Sequence, residues 1–130
     1  MGQVVITYLD THVVLWLAAG RLKSISPKTR KRIDGSDLLL SPMVLLELEY
    51  LYELGRCKLR SRDVLTKLEH EIGLSVSDLP VADVVFAAAD EKWTRDPFDR
   101  MIVAQARTHG LACLISADED IAVHYPRTVW

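Results

Sequence analysis

The sequence predicts an α/β fold, with short apolar strands alternating with helices around a sheet covered on both faces. Two observations predict it. Segments rich in β-branched and apolar residues, at 4–9, 37–40 and 111–115, alternate with longer segments of helical periodicity. The first of them, VVITYL, is apolar on successive positions and not only on alternate ones, as a strand buried on both faces of a parallel sheet has to be. A chain of 130 residues, 49% of them apolar, can bury the core of one domain spanning 1–130.

The elements follow in order. Strand 4–9 ends at Asp10. Asp10 and Thr11 start a helix over 12–19 that stops at Gly20. Ser26-Pro27 opens a short basic helix that ends near Asp34-Gly35, and 37–40 is the second strand. Ser41-Pro42 puts proline at the first helical position, and the helix 43–54 runs to Gly55. A helix over 62–72 ends at Gly73, and a short strand near 74–76 follows. Residues 81–93 read as mostly helical. Asp96-Pro97 opens a helix over 98–108, closed by Gly110. The fourth strand is 111–115, residues 116–120 are the loop at its C-terminal end, and 128–130 add a short final strand.

Several classes are excluded. No apolar run approaches the ~18 residues of a membrane helix, and the N-terminus has no export-type block, so a cytoplasmic, membrane-free protein is expected. Cys57 and Cys113 fit no metal spacing and read as buried thiols. His12, His70, His109 and His124 are scattered and read as surface or helix-end residues, not as a zinc cluster. The net charge of −2 is uneven: residues 1–62 carry ten Lys/Arg against six Asp/Glu, residues 63–130 six against twelve. Arg21, Lys23, Lys28, Arg30, Lys31 and Arg32 form a run without an acid, either a solvated face or a contact for phosphates.

The acids sort by helical spacing. Glu47 has Met43, Val44, Tyr50, Leu51 and Leu54 around it at i−4, i−3, i+3, i+4 and i+7, so it sits inside an apolar stripe. A carboxylate there needs a partner, either an arginine or a cation. Glu49 and Glu53 lie on another face and read as solvated. Asp99 heads the stripe of Ile102, Val103 and Ala106, although its first-turn position also suits the helix dipole. Asp96 is explained by capping alone. Ligands of parallel α/β sheets bind beyond the C-terminal strand ends, which singles out Asp10 and the loop carrying Asp118 and Asp120. Asp10, Glu47, Asp99, and Asp118 or Asp120 therefore point to one place. Clustered carboxylates suit Mg²⁺ or Mn²⁺, and such a site normally works on phosphates.

These motifs resemble a known family. YLDTHVVLWL at 8–17, SPMVLLELEYL at 41–51, DPFDRMIVAQA at 96–106 and LISADEDI at 114–121 are together similar to PIN-domain nucleases, and among them to the VapC-type ribonuclease toxins. The resemblance covers essentially the whole chain. It implies a three-layer α/β/α sandwich with a central, mostly parallel sheet of four to five strands. It implies catalytic acids at Asp10, Glu47, Asp99 and Asp118, with Asp10, Asp99 and Asp118 holding Mg²⁺ or Mn²⁺. Asp120 is left open as a sharer of the last role. Asp96 matches the subgroup, and Ser116 or the Thr11 hydroxyl is a candidate to orient water.

The implied reaction is metal-assisted hydrolysis of RNA. Arg100 and Lys28, Arg30 and Arg32 are candidate backbone contacts. The implied partners are a cognate antitoxin, whose tail inserts a basic or aromatic side chain among the acids, and a second copy in a homodimer. Leu45, Leu48, Tyr52 and Trp16 are candidate contacts. Two alternatives stay open: a phosphoacceptor receiver-like domain, and a PIN nuclease of RNA processing outside a toxin–antitoxin pair. The receiver needs paired acids after the first strand, where Asp10 stands alone, and a lysine after a late strand, where Ser116-Ala117-Asp118 stands.

Overall fold

A computed structural model describes residues 5–130. Val4, expected as the start of the first strand, lies outside the described residues. Among the described residues five strands form one sheet: β1 (Ile6–Leu9), β2 (Asp37–Leu40), β3 (Ser75–Val76), β4 (Cys113–Ile115) and β5 (Thr128–Val129). Their spatial order is β3-β2-β1-β4-β5, and every pairing is parallel. Among the described residues seven α-helices flank it: α1 (Thr11–Ala18), α2 (Pro27–Asp34), α3 (Pro42–Glu53), α4 (Ser61–Ile72), α5 (Val81–Ala88), α6 (Pro97–Thr108) and α7 (Glu119–His124). The result is the expected three-layer α/β/α architecture.

Residue type explains these elements locally. In β1, Thr7, Tyr8 and Leu9 are all buried, so both faces of the central strand are covered. Asp10, Ser26, Ser41, Asp96 and Asp118 cap α1, α2, α3, α6 and α7, each accepting a backbone N–H with its side chain. The core joins Leu9 and Leu114 of the sheet to Val13, Val14, Val44, Leu48, Val64, Leu68 and Val103 of the helices. Full burial of each Val or Leu contributes about 1.5–3 kcal/mol. No helix among the described residues is long and apolar enough to cross a membrane.

Three expectations are corrected. Helix α5 stops at Ala88 and does not reach Trp93, because the chain turns there and Glu91 is buried against Arg107 of α6 at 2.7 Å. Strand β4 starts at Cys113, because Leu111 adopts φ 54° in the turn after α6 and cannot extend a strand. Residues 119–124 form α7, so the loop expected over 116–120 already holds the first residues of a helix capped by Asp118.

The sheet order places the site. From β1 the chain steps outward to β2 and β3, then crosses back to β4 and β5 on the other side. The reversal lies between β1 and β4, where such sheets open a crevice at the C-terminal strand ends. Asp10 follows β1 there, and Ser116 follows β4.

Candidate active site

Asp10 is held from both sides of the crevice. Its Oδ1 accepts the Thr11 backbone N–H at 2.8 Å, and its Oδ2 accepts the Ser116 hydroxyl at 2.6 Å. Its own N–H donates to the Ile115 carbonyl at 2.9 Å, tying the end of β1 to the end of β4. Ser116 also accepts the Asp118 N–H at 3.1 Å, and the Asp118 carboxylate caps α7 through the Asp120 and Ile121 N–H groups. One hydroxyl thus links the acid after β1 to the acid that starts α7.

Glu47 comes from α3 and is half-buried. Its partner is the Thr11 hydroxyl, which donates to Oε1, and not an arginine. Asp96 caps α6 by accepting from Phe98 N–H at 2.8 Å and Asp99 N–H at 3.2 Å. Asp99 extends from the first turn of that helix.

The charges of these groups act on one another. Burial pushes the Asp99 carboxyl up to about 7, helped by the negative charges of Asp96, Asp10, Asp118 and Glu47. Burial raises Asp10, against the hydrogen bonds from Ser116 and Thr11. Burial also raises Glu47, with the charges of Asp10 and Asp96 adding to it. Asp96 therefore acts on its neighbours electrostatically as well as capping its helix. Asp118 acts on both Asp10 and Asp99, while Asp120 is exposed in the first turn of α7.

His12 is exposed in the first turn of α1, as expected of a surface or helix-end residue, and a positive charge there acts on Asp10 and Glu47 with the sign that lowers both.

The donor set consists of carboxylate and hydroxyl oxygens, which suits a hard divalent cation and not zinc. The arrangement is loose: among the described residues no three His, Cys, Asp or Glu side chains stand close enough to grip one ion. The negative charges of Asp10, Glu47, Asp96, Asp99 and Asp118 act on one another, and a cation among them would relieve that repulsion.

Other expectations fare differently. Thr11 and Ser116 each have one hydroxyl proton, and each donates it to a carboxylate, so neither is free to donate to a water. Arg100 donates to the Thr94 carbonyl at 2.8 Å and braces the approach to α6. Leu48 is fully buried in the core and is not available to a partner. Glu49 is not simply solvated: it pairs with Arg60 at 2.7 Å and accepts the Ser61 N–H at 3.1 Å, closing the N-terminus of α4.

The sequence pattern of the PIN domain matches residues 7–125. The chain belongs to the PIN-domain family. This PIN domain is similar in fold to the VapBC2 structure of Rickettsia felis bound to a promoter DNA fragment, with a TM-score of 0.65, 17% identity and 96% of each chain covered. It is similar to a toxin–antitoxin complex from Klebsiella pneumoniae, with a TM-score of 0.63, 15% identity, and 95% of this chain and 96% of that chain covered. It is similar also to DNA-bound VapBC from Salmonella typhimurium, with a TM-score of 0.53, 19% identity and 95% of each chain covered. No curated relative matches the sequence of this PIN domain.

Proposed function

We propose that this PIN domain is a divalent-metal-dependent endoribonuclease and the toxin of a toxin–antitoxin pair. One observation carries the reading. Burial and the charges of Asp96, Asp10, Asp118 and Glu47 push Asp99, in the first turn of α6, up to about 7, and Asp10 among them follows β1 where the strand order reverses. A cluster of that kind is costly to the fold unless it serves a cation.

Asp10, Asp99 and Asp118 would hold Mg²⁺ or Mn²⁺, with Glu47 completing the set. When bound, the ion polarises a phosphoryl oxygen and makes water nucleophilic near neutral pH. The protein's own part is positional. Ser116 and the Thr11 N–H hold the two Asp10 oxygens in one orientation. Thr11 fixes Glu47, and Asp99 would hold the ion in its ionised form.

The likeness to toxin–antitoxin complexes supports an antitoxin partner. Exposed Leu46, Tyr50 and Leu54 line one face of α3 at four-residue spacing and offer it an apolar surface. A basic side chain from that partner would neutralise the acid cluster. The same surface suits a homodimer. The working compartment would be the cytoplasm, where RNA is present. The receiver reading is dropped, since the family match is to the PIN domain.

The test is cleavage of defined tRNA and rRNA substrates with Mg²⁺ or Mn²⁺ against EDTA. Asp10→Asn and Asp99→Asn should each fold and lose more than about 100-fold of the rate, a larger loss than removing a mere supporting group. Glu71→Gln, an exposed acid on α4, should cleave as the wild type does. Cleavage by Asp99→Asn at the normal rate would refute the assignment.

A further inference from the structure

Beside the acid cluster runs a line of rings that ends in a basic groove. His12 and Trp16 lie one turn apart on α1, with ring centroids 6.3 Å apart. Trp16 meets Trp130, just after β5, at 5.6 Å. The two ring pairs are tilted by 53° and 49°, so neither pair closes face to face. His12 is exposed, Trp130 is 38% exposed, and Trp16 between them is half-buried and packed against the core. Trp130 then lines a groove of about 520 Å³ with Thr128, Val129, Lys28, Lys31 and Arg32. The three cations stand at i, i+3 and i+4 on one face of α2. Among the described residues no carboxylate pairs with any of them. Arg30, on the same helix, does not line the groove.

We infer that this line is the path of a single RNA strand, with bases stacked on Trp130 and His12, Trp16 bracing the two rings from the core, and the backbone held by Lys28, Lys31 and Arg32. The inference rests on the nuclease reading for its endpoint at the acids. Flat rings leading into a row of cations without a carboxylate partner are what unstacked bases and their phosphates need together. An acidic peptide would satisfy the cations but would gain little from a row of rings. A duplex keeps its base faces hidden and could use only the cations. The groove therefore selects single-stranded segments, and it narrows the basic run 21–32 to three residues.

The test uses the full chain in EDTA, so that binding is read without cleavage. A labelled short single-stranded RNA and the matching duplex are titrated by fluorescence anisotropy at several salt concentrations. The triple variant Lys28→Ala/Lys31→Ala/Arg32→Ala should bind the single strand more weakly, with a log–log salt slope shallower by about 2, as expected for three lost phosphate contacts. Trp130→Ala should weaken binding about 5- to 100-fold, and Trp130→Phe, which keeps a stacking face, should recover most of it. Lys58→Ala, outside the groove, is the comparison.

Wild-type binding by the triple variant and by Trp130→Ala overturns the inference and leaves the groove to a protein partner. Equal affinity for the duplex overturns it too. Groove-dependent binding without any metal-dependent cleavage would keep the path and refute the nuclease. Normal cleavage by both groove variants would keep the nuclease and refute the path.

Discussion

Thr11 and Ser116 are small side chains with a large effect on the acids beside them. Each donates its only hydroxyl proton to a carboxylate, Glu47 in one case and Asp10 in the other. Thr11→Val and Ser116→Ala should leave a folded protein whose RNA cleavage falls about 10- to 100-fold, the usual loss when a group orienting a ligand is removed. Full activity in both would reduce them to packing residues. Asp99 sets a pH dependence. Its folded-state value is about 7 against an ordinary 3.8, so the folded chain holds this proton more tightly than the unfolded chain does. The associated stability is present below about pH 4 and is lost as pH rises through about 7. In EDTA the wild-type Tm should drop between about pH 5 and 8 more than that of Asp99→Asn, because asparagine does not titrate. Parallel Tm profiles for the two proteins would contradict the charge cluster. Spacing puts apolar neighbours around Glu47, but the stripe is buried only in part: Val44 and Leu51 are buried, while Tyr50 and Leu54 are exposed. The partner of Glu47 was not readable from spacing, since Thr11 is 36 residues away and only folding brings the two together.

Helix α6 carries Asp99, and its orientation depends on what grips its other end. Arg107 pairs with Glu91 at 2.7 Å, lies over the Tyr125 ring at 5.1 Å, and donates to the His124 carbonyl at 3.2 Å. The Trp93 indole donates to the other Glu91 oxygen at 2.7 Å and stacks on His124 at 4.8 Å. These contacts join the segment after α5, helix α6 and helix α7, and so hold Asp99 in register with Asp118. Glu91→Ala should cost about 2 kcal/mol, since Glu91 is buried and the half-exposed Arg107 loses its partner. Chemical denaturation measures it, and a change below the error of that experiment would count against the clasp. Cleavage in this variant should fall by more than its folded fraction. The helices with a cap and a glycine stop were recognisable from their ends, as α3 and α6 were. Helix α5 ends before Trp93 because Glu91 is buried against Arg107, 16 positions away, whereas the cap of α7 is local: Asp118 accepts the Asp120 and Ile121 N–H groups, a signal the sequence carries.

At the level of the whole molecule, the acid cluster couples cation binding to stability and to protons. Mg²⁺ or Mn²⁺ should raise Tm, by about 2.7 kcal/mol of stability when the ion is at a hundred times its Kd. Asp99 has to ionise to receive the ion, so uptake should release protons near about pH 6 and fewer near about pH 8. Calorimetry in buffers of different ionisation heat reads that number, and heats independent of buffer would exclude Asp99 as a ligand. The chain's own order of residues was enough for the alternation of strands and helices and for the caps at Asp10, Ser41 and Asp96. Those features depend on a few neighbouring residues and on periodicity, which are local. The order of the strands is different in kind. That β4 returns to lie beside β1, that Ser116 meets Asp10 and that Trp130 meets Trp16 depend on contacts across 106 and 114 positions. Such contacts exist only once the core has closed, because the burial that holds them is shared among all the elements.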